Sequence, residues 1–351
     1  MTPSEGASRP DTEDSTKFAE TRHVLFGHSD QVWNLEWSPG GSLLASGGKD
    51  NLAIIWCKKS DELNSNTTWE AIHVLLHEMP VSCLAWSSDE SLLLTSAEYF
   101  IYLWDTKSGK CLRTLDDAHG DTVTSLLGLP DGLGYISGGI DRKIVHWNAQ
   151  GELIHQWYPG NLRILSMDLI PNQLKLAIVG LQCGSNFVIQ AESELKAKMK
   201  TPVYQLLVHS IVTRRTEKFI RIEEGSSCLC VSSDARHVLV NSRNEISLWD
   251  MRFDVKVGRY MGHKNRKDVL RSCFSGGGND RFILSGSEDG RILVWNRLTG
   301  VLQSVLQHGG HNLKATISAV RWHPLDENVF ASCSDDHTIR IWEMDTRIVK
   351  P

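Results

Sequence analysis

His28, Ser46 and Asp50 are the three side-chain types of a hydrolytic triad, in which a histidine takes the serine proton and a carboxylate steadies the histidine. The same set returns as His119, Ser137 and Asp141, as His263, Ser285 and Asp289, and as His311, Ser332 and Asp336. Each ends on a tryptophan ten residues after its serine: Trp56, Trp147, Trp295 and Trp342. One active site needs one copy, so a set that recurs at fixed spacing reads as architecture. A histidine, a serine hydroxyl, a carboxylate and an indole N–H can form one buried hydrogen-bonded chain. It would satisfy groups that otherwise cost about 1–3 kcal/mol each.

The histidines follow glycine in Gly27-His28, Gly262-His263 and Gly310-His311, and alanine in Ala118-His119. A run of alternating apolar residues comes next, then Ser-x-x-x-Asp in a tight turn, then the tryptophan. This unit resembles the WD-repeat family, whose repeats run about 40–45 residues and form four-stranded propeller blades. Weaker copies complete the count. His77 to Trp104 makes a second blade in which Thr95 lies one residue closer to its Trp and Glu98 replaces the turn Asp, which implies a different turn. Glu224 to Trp249 makes a fifth, with Arg243 at the Asp position and Trp249-Asp250 kept. Gly151 to Ile222 holds a degenerate fourth, with strands expected at Leu174–Val179 and Leu206–Val212.

The expectation is therefore an all-β, seven-bladed propeller over 21–351, with Thr21–Phe26 as the outer strand that closes the last blade. The polar segment Met1–Glu20 is expected to be disordered. An insertion at about 183–202 contains Ala191–Lys200, whose acids come early and lysines late, as a short helix prefers. With Arg214, Arg215, Lys218 and Arg221 it could form a local basic patch, although a solvated face explains the same residues.

A net charge of -5 and a pI near 6.3 give no global field for nucleic acid. Neither an apolar run of membrane-spanning length nor an apolar leader is present, so neither a membrane nor secretion is expected. Of the eight cysteines, Cys83, Cys111, Cys273 and Cys333 sit in strand patterns, and Cys228 and Cys230 share one strand face. Free thiols fit this better than a metal site, and no cofactor, metal or small-molecule substrate is expected. With no clear basic import run, cytoplasmic and nuclear pools both stay open.

Propellers bind partners chiefly through loops around the central channel. Two repeat positions should face that rim: the residue after the first apolar residue of each inner strand, and the residue before each turn Asp. These are Trp33, Ser82, Thr124, Leu270 and Ser318, and Lys49, Ile140, Glu288 and Asp335. Trp33 and Leu270 stand out as apolar anchors on a polar rim, with packing of Trp33 against its own blade as the alternative.

The segments 271–297 (RSCFSGGGNDRFILSGSEDGRILVWNR) and 330–342 (FASCSDDHTIRIW), the fifth blade ending VNSRNEISLWDM, and the degenerate fourth blade are similar to the WD-repeat subunit of the GID/CTLH ubiquitin ligase. The first blade, with Val32-Trp33 and Ala53-Ile54-Ile55-Trp56, is similar too, and the resemblance covers about Thr21 to Trp342. It implies a non-catalytic scaffold that bridges ligase modules and helps to recruit substrates for ubiquitin transfer and degradation. Members of that family usually carry helical LisH and CTLH segments ahead of the propeller, where this chain has a short polar tail. Self-association through those helices is therefore not carried over. A WD-repeat adaptor of another signalling or chromatin complex is the alternative that the fold alone allows.

Overall fold

The computed structural model describes residues 18–60, 67–182, 202–309 and 315–345. These residues form seven four-stranded antiparallel sheets, and no α-helix occurs among them. The innermost strands are Val32–Trp37, Val81–Trp86, Val123–Gly128, Leu162–Ile170, Cys228–Val231, Cys273–Phe274 and Ile317–Trp322. They line a central channel from which the sheets step outward in chain order, except that the last takes its outermost strand from the start of the chain. This is the seven-bladed β-propeller, with blades numbered 1 to 7 from Val32.

The inner strands are apolar on both faces because each blade is buried between two others. In blade 1, Leu44, Ile54 and Trp56 pack against Ala331, Ile339 and Ile341 of blade 7. The opposite face presents Ala45, Ala53 and Ile55 to Val81, Leu84 and Leu93 of blade 2. Each leucine, isoleucine or valine among them contributes about 1.5–3 kcal/mol by leaving water.

The ring is closed by the first described strand. Ala19–Phe26 pairs antiparallel with Thr338–Met344, from Ala19 opposite Met344 to Phe26 opposite Thr338, and supplies the fourth strand of blade 7. The packed chain begins before Thr21. Phe18 and Ala19 are buried, and the Phe18 ring meets Phe282 of blade 6 edge-on at 5.2 Å. Phe18 belongs to the apolar layer between blades 6 and 7, which explains why a residue read as part of the polar tail is held in place. Residues 1–17 of that tail, residues 183–201 with the helix expected at Ala191–Lys200, and the Gly310-His311 pair lie outside the described residues.

Blades 2 and 6 differ from the repeat in backbone course. In blade 2 a two-residue turn, Glu98-Tyr99, joins Leu92–Ala97 to Phe100–Asp105, with Ala97 opposite Phe100. Glu98 adopts φ 54° there, which accounts for the shortened spacing. In blade 6 the inner strand is only Cys273–Phe274, and the chain before it leaves its own sheet. Arg271 bridges in parallel to Ala319 of blade 7, its N–H donating to the Ser318 carbonyl at 2.9 Å.

Candidate functional site

The histidine sets behave as scaffolding, but unevenly. In blade 1, His28 Nδ1 lies 2.9 Å from an Asp50 carboxylate oxygen and its Nε2 lies 2.8 Å from Ser46 Oγ. Trp56 Nε1 donates to the same hydroxyl at 2.9 Å. Blade 3 repeats this through His119, Asp141, Ser137 and Trp147. Burial alone would raise the Asp50 carboxyl, yet the His28 bond and the amides of Ser29 and Leu52 hold it below its usual value. Blade 2 keeps a shortened version, in which His77 Nε2 and Trp104 Nε1 converge on Thr95 Oγ1 at 2.7 and 2.9 Å.

Blade 7 uses a different histidine from the one the Gly-His pattern selects. His308 Nδ1 lies 2.9 Å from Ser332 Oγ, its Nε2 lies 3.7 Å from Asp336, and Trp342 Nε1 donates to Ser332 at 2.8 Å. His308 directly follows the outer strand Leu302–Gln307, which delivers it to the buried serine.

Blade 6 has the residues of the set but not the chain. His263 Nε2 lies 3.4 Å from the Ser242 carbonyl of blade 5, and its Nδ1 has no partner among the described residues. Ser285 donates to the adjacent Gly286 carbonyl, and Trp295 Nε1 donates to the Met261 carbonyl. Asp289 bonds elsewhere: its carboxylate meets Arg291 and Ser287 at 2.7 Å each and Lys264 at 3.3 Å.

At the rim, Trp33 is half-buried, with Nε1 donating to Gln31 Oε1 at 3.2 Å. Ser82 and Thr124 are half-buried, and each hydroxyl is bonded within the ring, Ser82 to Ser96 Oγ and Thr124 to the carbonyls of Gly138 and Ile164. Ser318 is buried and Ile140 half-buried. Lys49 is exposed, 3.4 Å from Asp30. Glu288 faces inward, one carboxylate oxygen accepting the amides of Arg266 and Lys267 at 2.6 Å each and of Asp268 at 3.1 Å. Of the basic patch residues, Lys218 reaches Asp254 at 2.8 Å and the Met251 carbonyl at 2.6 Å, which ties blade 4 to blade 5.

Leu270 is not a rim anchor, because it is fully buried. Asn241 of blade 5 donates Nδ2 to the Leu270 carbonyl at 2.9 Å and accepts the Ser272 hydroxyl on Oδ1. This amide draws the chain out of its own sheet, and the repeat alignment that gave Leu270 the rim position of Trp33 fails with it. Val269 turns outward instead, 47% exposed. Arg271 enters the channel, its two terminal nitrogens each 3.5 Å from a carbonyl, of Trp33 and of Ser82.

Two cavities meet at Arg271. The channel below it, about 450 Å3, is lined by Glu36, Asp168, Arg321 and the cysteines 83, 228, 230 and 273. Arg321 pairs with Glu36 at 3.1 Å, and burial lifts Asp168 to about 6 although two amides bond to it. Burial also pushes the Cys273 thiol up to about 11, so it stays protonated and poorly nucleophilic. Cys111, by contrast, is exposed. Among the described residues no group of three His, Cys, Asp or Glu side chains is placed to hold a metal. The cavity above, about 310 Å3, opens on the face of the Gly-His loops between Trp33, Val269, Asp268 and Asp335.

This architecture matches known proteins. The chain is 33% identical over 331 residues to a WD repeat-containing protein 26 homolog of Arabidopsis thaliana, covering 93% of this chain and 51% of that one. It is 36% identical over 322 residues to GID complex subunit 7 of Schizosaccharomyces pombe, covering 91% and 58%. It is also 33% identical over 332 residues to the WD repeat-containing protein WDS homolog of Arabidopsis thaliana, covering 92% and 57%. The chain thus spans about half the length of these relatives. The WD domain, G-beta repeat family matches residues 19–57, 69–105, 109–148, 255–296 and 301–343. Those segments make up more than half of the sequence, and the chain belongs to that WD-repeat family.

Proposed function

We propose that this protein is a non-catalytic scaffold or substrate-receptor subunit of a GID-like ubiquitin ligase, supporting ubiquitin-dependent degradation. The observation that carries this reading is similarity to GID complex subunit 7 over 91% of the chain, including the blades that have lost the repeat signature. The site chemistry agrees with it. In blades 1 and 3 the histidine and serine groups are engaged in hydrogen bonds within the blade, and the channel thiols whose values are raised are held protonated. The face around Trp33 offers a half-buried aromatic and a cavity, the features of a protein-docking surface.

The test is quantitative mass spectrometry of what co-purifies with the tagged protein from its native cells. Recovery of RING-type ligase subunits together with LisH/CTLH partners supports the assignment. A different stable complex without them would make the protein an adaptor of that complex.

A further inference from the structure

The cavity on the Gly-His face has an unusual balance of donors and acceptors. Asp268 and Asp335 come from different blades and meet at Thr316. Thr316 Oγ1 donates to Asp268 Oδ2 at 3.0 Å and also lies within hydrogen-bonding reach of Asp335, beside Ser318. A hydroxyl has one proton to give, so it serves one of these carboxylates at a time. Among the described residues no cation forms an ion pair with either. Lys49 is engaged by Asp30 at 3.4 Å, Arg271 lies against the carbonyls of Trp33 and Ser82 in the floor, and Lys267 lines the same cavity without an ion pair to either carboxylate. Burial and the facing Asp268 carboxylate together push Asp335 up to about 6, against the Lys49 charge and the Thr316 and Ser318 hydroxyls, which pull it down.

Trp33 lines the same cavity. Its ring is oriented by the bond from Nε1 to Gln31 Oε1, and it faces a space of about 310 Å3, enough for one long side chain. A planar cation that can stack on an indole and donate several hydrogen bonds to carboxylates is a guanidinium.

We propose that this cavity receives an arginine side chain from an extended segment of a partner protein, its guanidinium stacked on Trp33 and bonded to Asp268 and Asp335. The inference rests on the reading of this face as a protein-docking surface and not on the ligase assignment. Its failure would leave the co-purification test standing.

Ligand-observed NMR with the full chain tests it, using the capped peptide acetyl-Gly-Arg-Gly-amide and its isosteric, uncharged citrulline counterpart. The arginine peptide is expected to bind at least about tenfold more tightly, since charge-assisted hydrogen bonds are roughly twice as strong as neutral ones. The Asp268→Asn/Asp335→Asn double variant should abolish that preference, and Trp33→Ala should reduce it. In the unaltered protein, added potassium chloride should shrink the preference, a readout that does not depend on any variant folding. Equal binding of the two peptides, no binding of the arginine peptide at millimolar concentration, a folded double variant that keeps the preference, or a preference indifferent to salt would each overturn the proposal.

Discussion

Ser46 holds His28 and Trp56 together in blade 1, whereas Ser285, at the equivalent place in blade 6, bonds only to the carbonyl beside it. Ser46→Ala should therefore cost about 1–3 kcal/mol, because it strands an indole N–H and a histidine nitrogen. Ser285→Ala should cost less than about 1 kcal/mol. Urea denaturation of the two variants checks the difference. Three tryptophans that end inner strands make a second comparison. Trp37 Nε1 donates to the Arg321 carbonyl at 3.1 Å and Trp86 Nε1 to the Glu36 carbonyl at 3.0 Å, each reaching the blade before its own. Trp322 Nε1 is buried without a partner among the described residues, next to the blade whose inner strand is cut short. Trp86→Phe should lose about 1 kcal/mol that Trp322→Phe does not. Acid adds a third test. Burial alone would raise Asp289, but Arg291, Ser287 and Lys264 hold it down to about 2 from a usual 3.8. Its contribution is present above the usual value and is lost as pH falls through the folded one. Asp289→Asn should thus be less stable at neutral pH, and should lose less stability than the unaltered protein between about pH 4 and about pH 2.

At the scale of elements, the strand Ala19–Phe26 and the peeled segment before Cys273 matter most. Phe18→Ala should lower stability by about 3 kcal/mol by emptying the layer between blades 6 and 7, as measured by thermal or urea unfolding. These two elements also show what the sequence can and cannot reveal. Blades 1 and 3 are readable from Gly27-His28 and Ala118-His119 because their histidine, serine, aspartate and tryptophan contacts all stay within one repeat. The closing strand is readable in part, since TRHVLF is apolar, but Phe18 acquires its partner Phe282 only once the ring has formed. The displaced chain in blade 6 is fixed by Asn241, a residue of the neighbouring blade with no place in the repeat pattern. His308 escaped notice because a second histidine, three residues on, follows a glycine and fits the pattern better. Local periodicity reports the contacts within a blade, and these departures are contacts between blades.

For the whole molecule, the pairing of the first strand with the last fixes the order in which the chain can finish folding. Arg22 and Glu343, bonded across that pair, lie 321 residues apart. At a synthesis rate of about 5–20 residues per second, the first strand waits roughly 16–64 s on the ribosome before its partner exists. During that time an apolar strand has no sheet to join, and blade 7 cannot be complete. A circular permutant with residues 18–26 linked after Met344 would make that pairing local. It should refold faster from urea than the natural order, with little change in final stability. The strand that closes the ring is, in this sense, a clock: the propeller keeps its earliest residues unpaired until nearly all the others have been made.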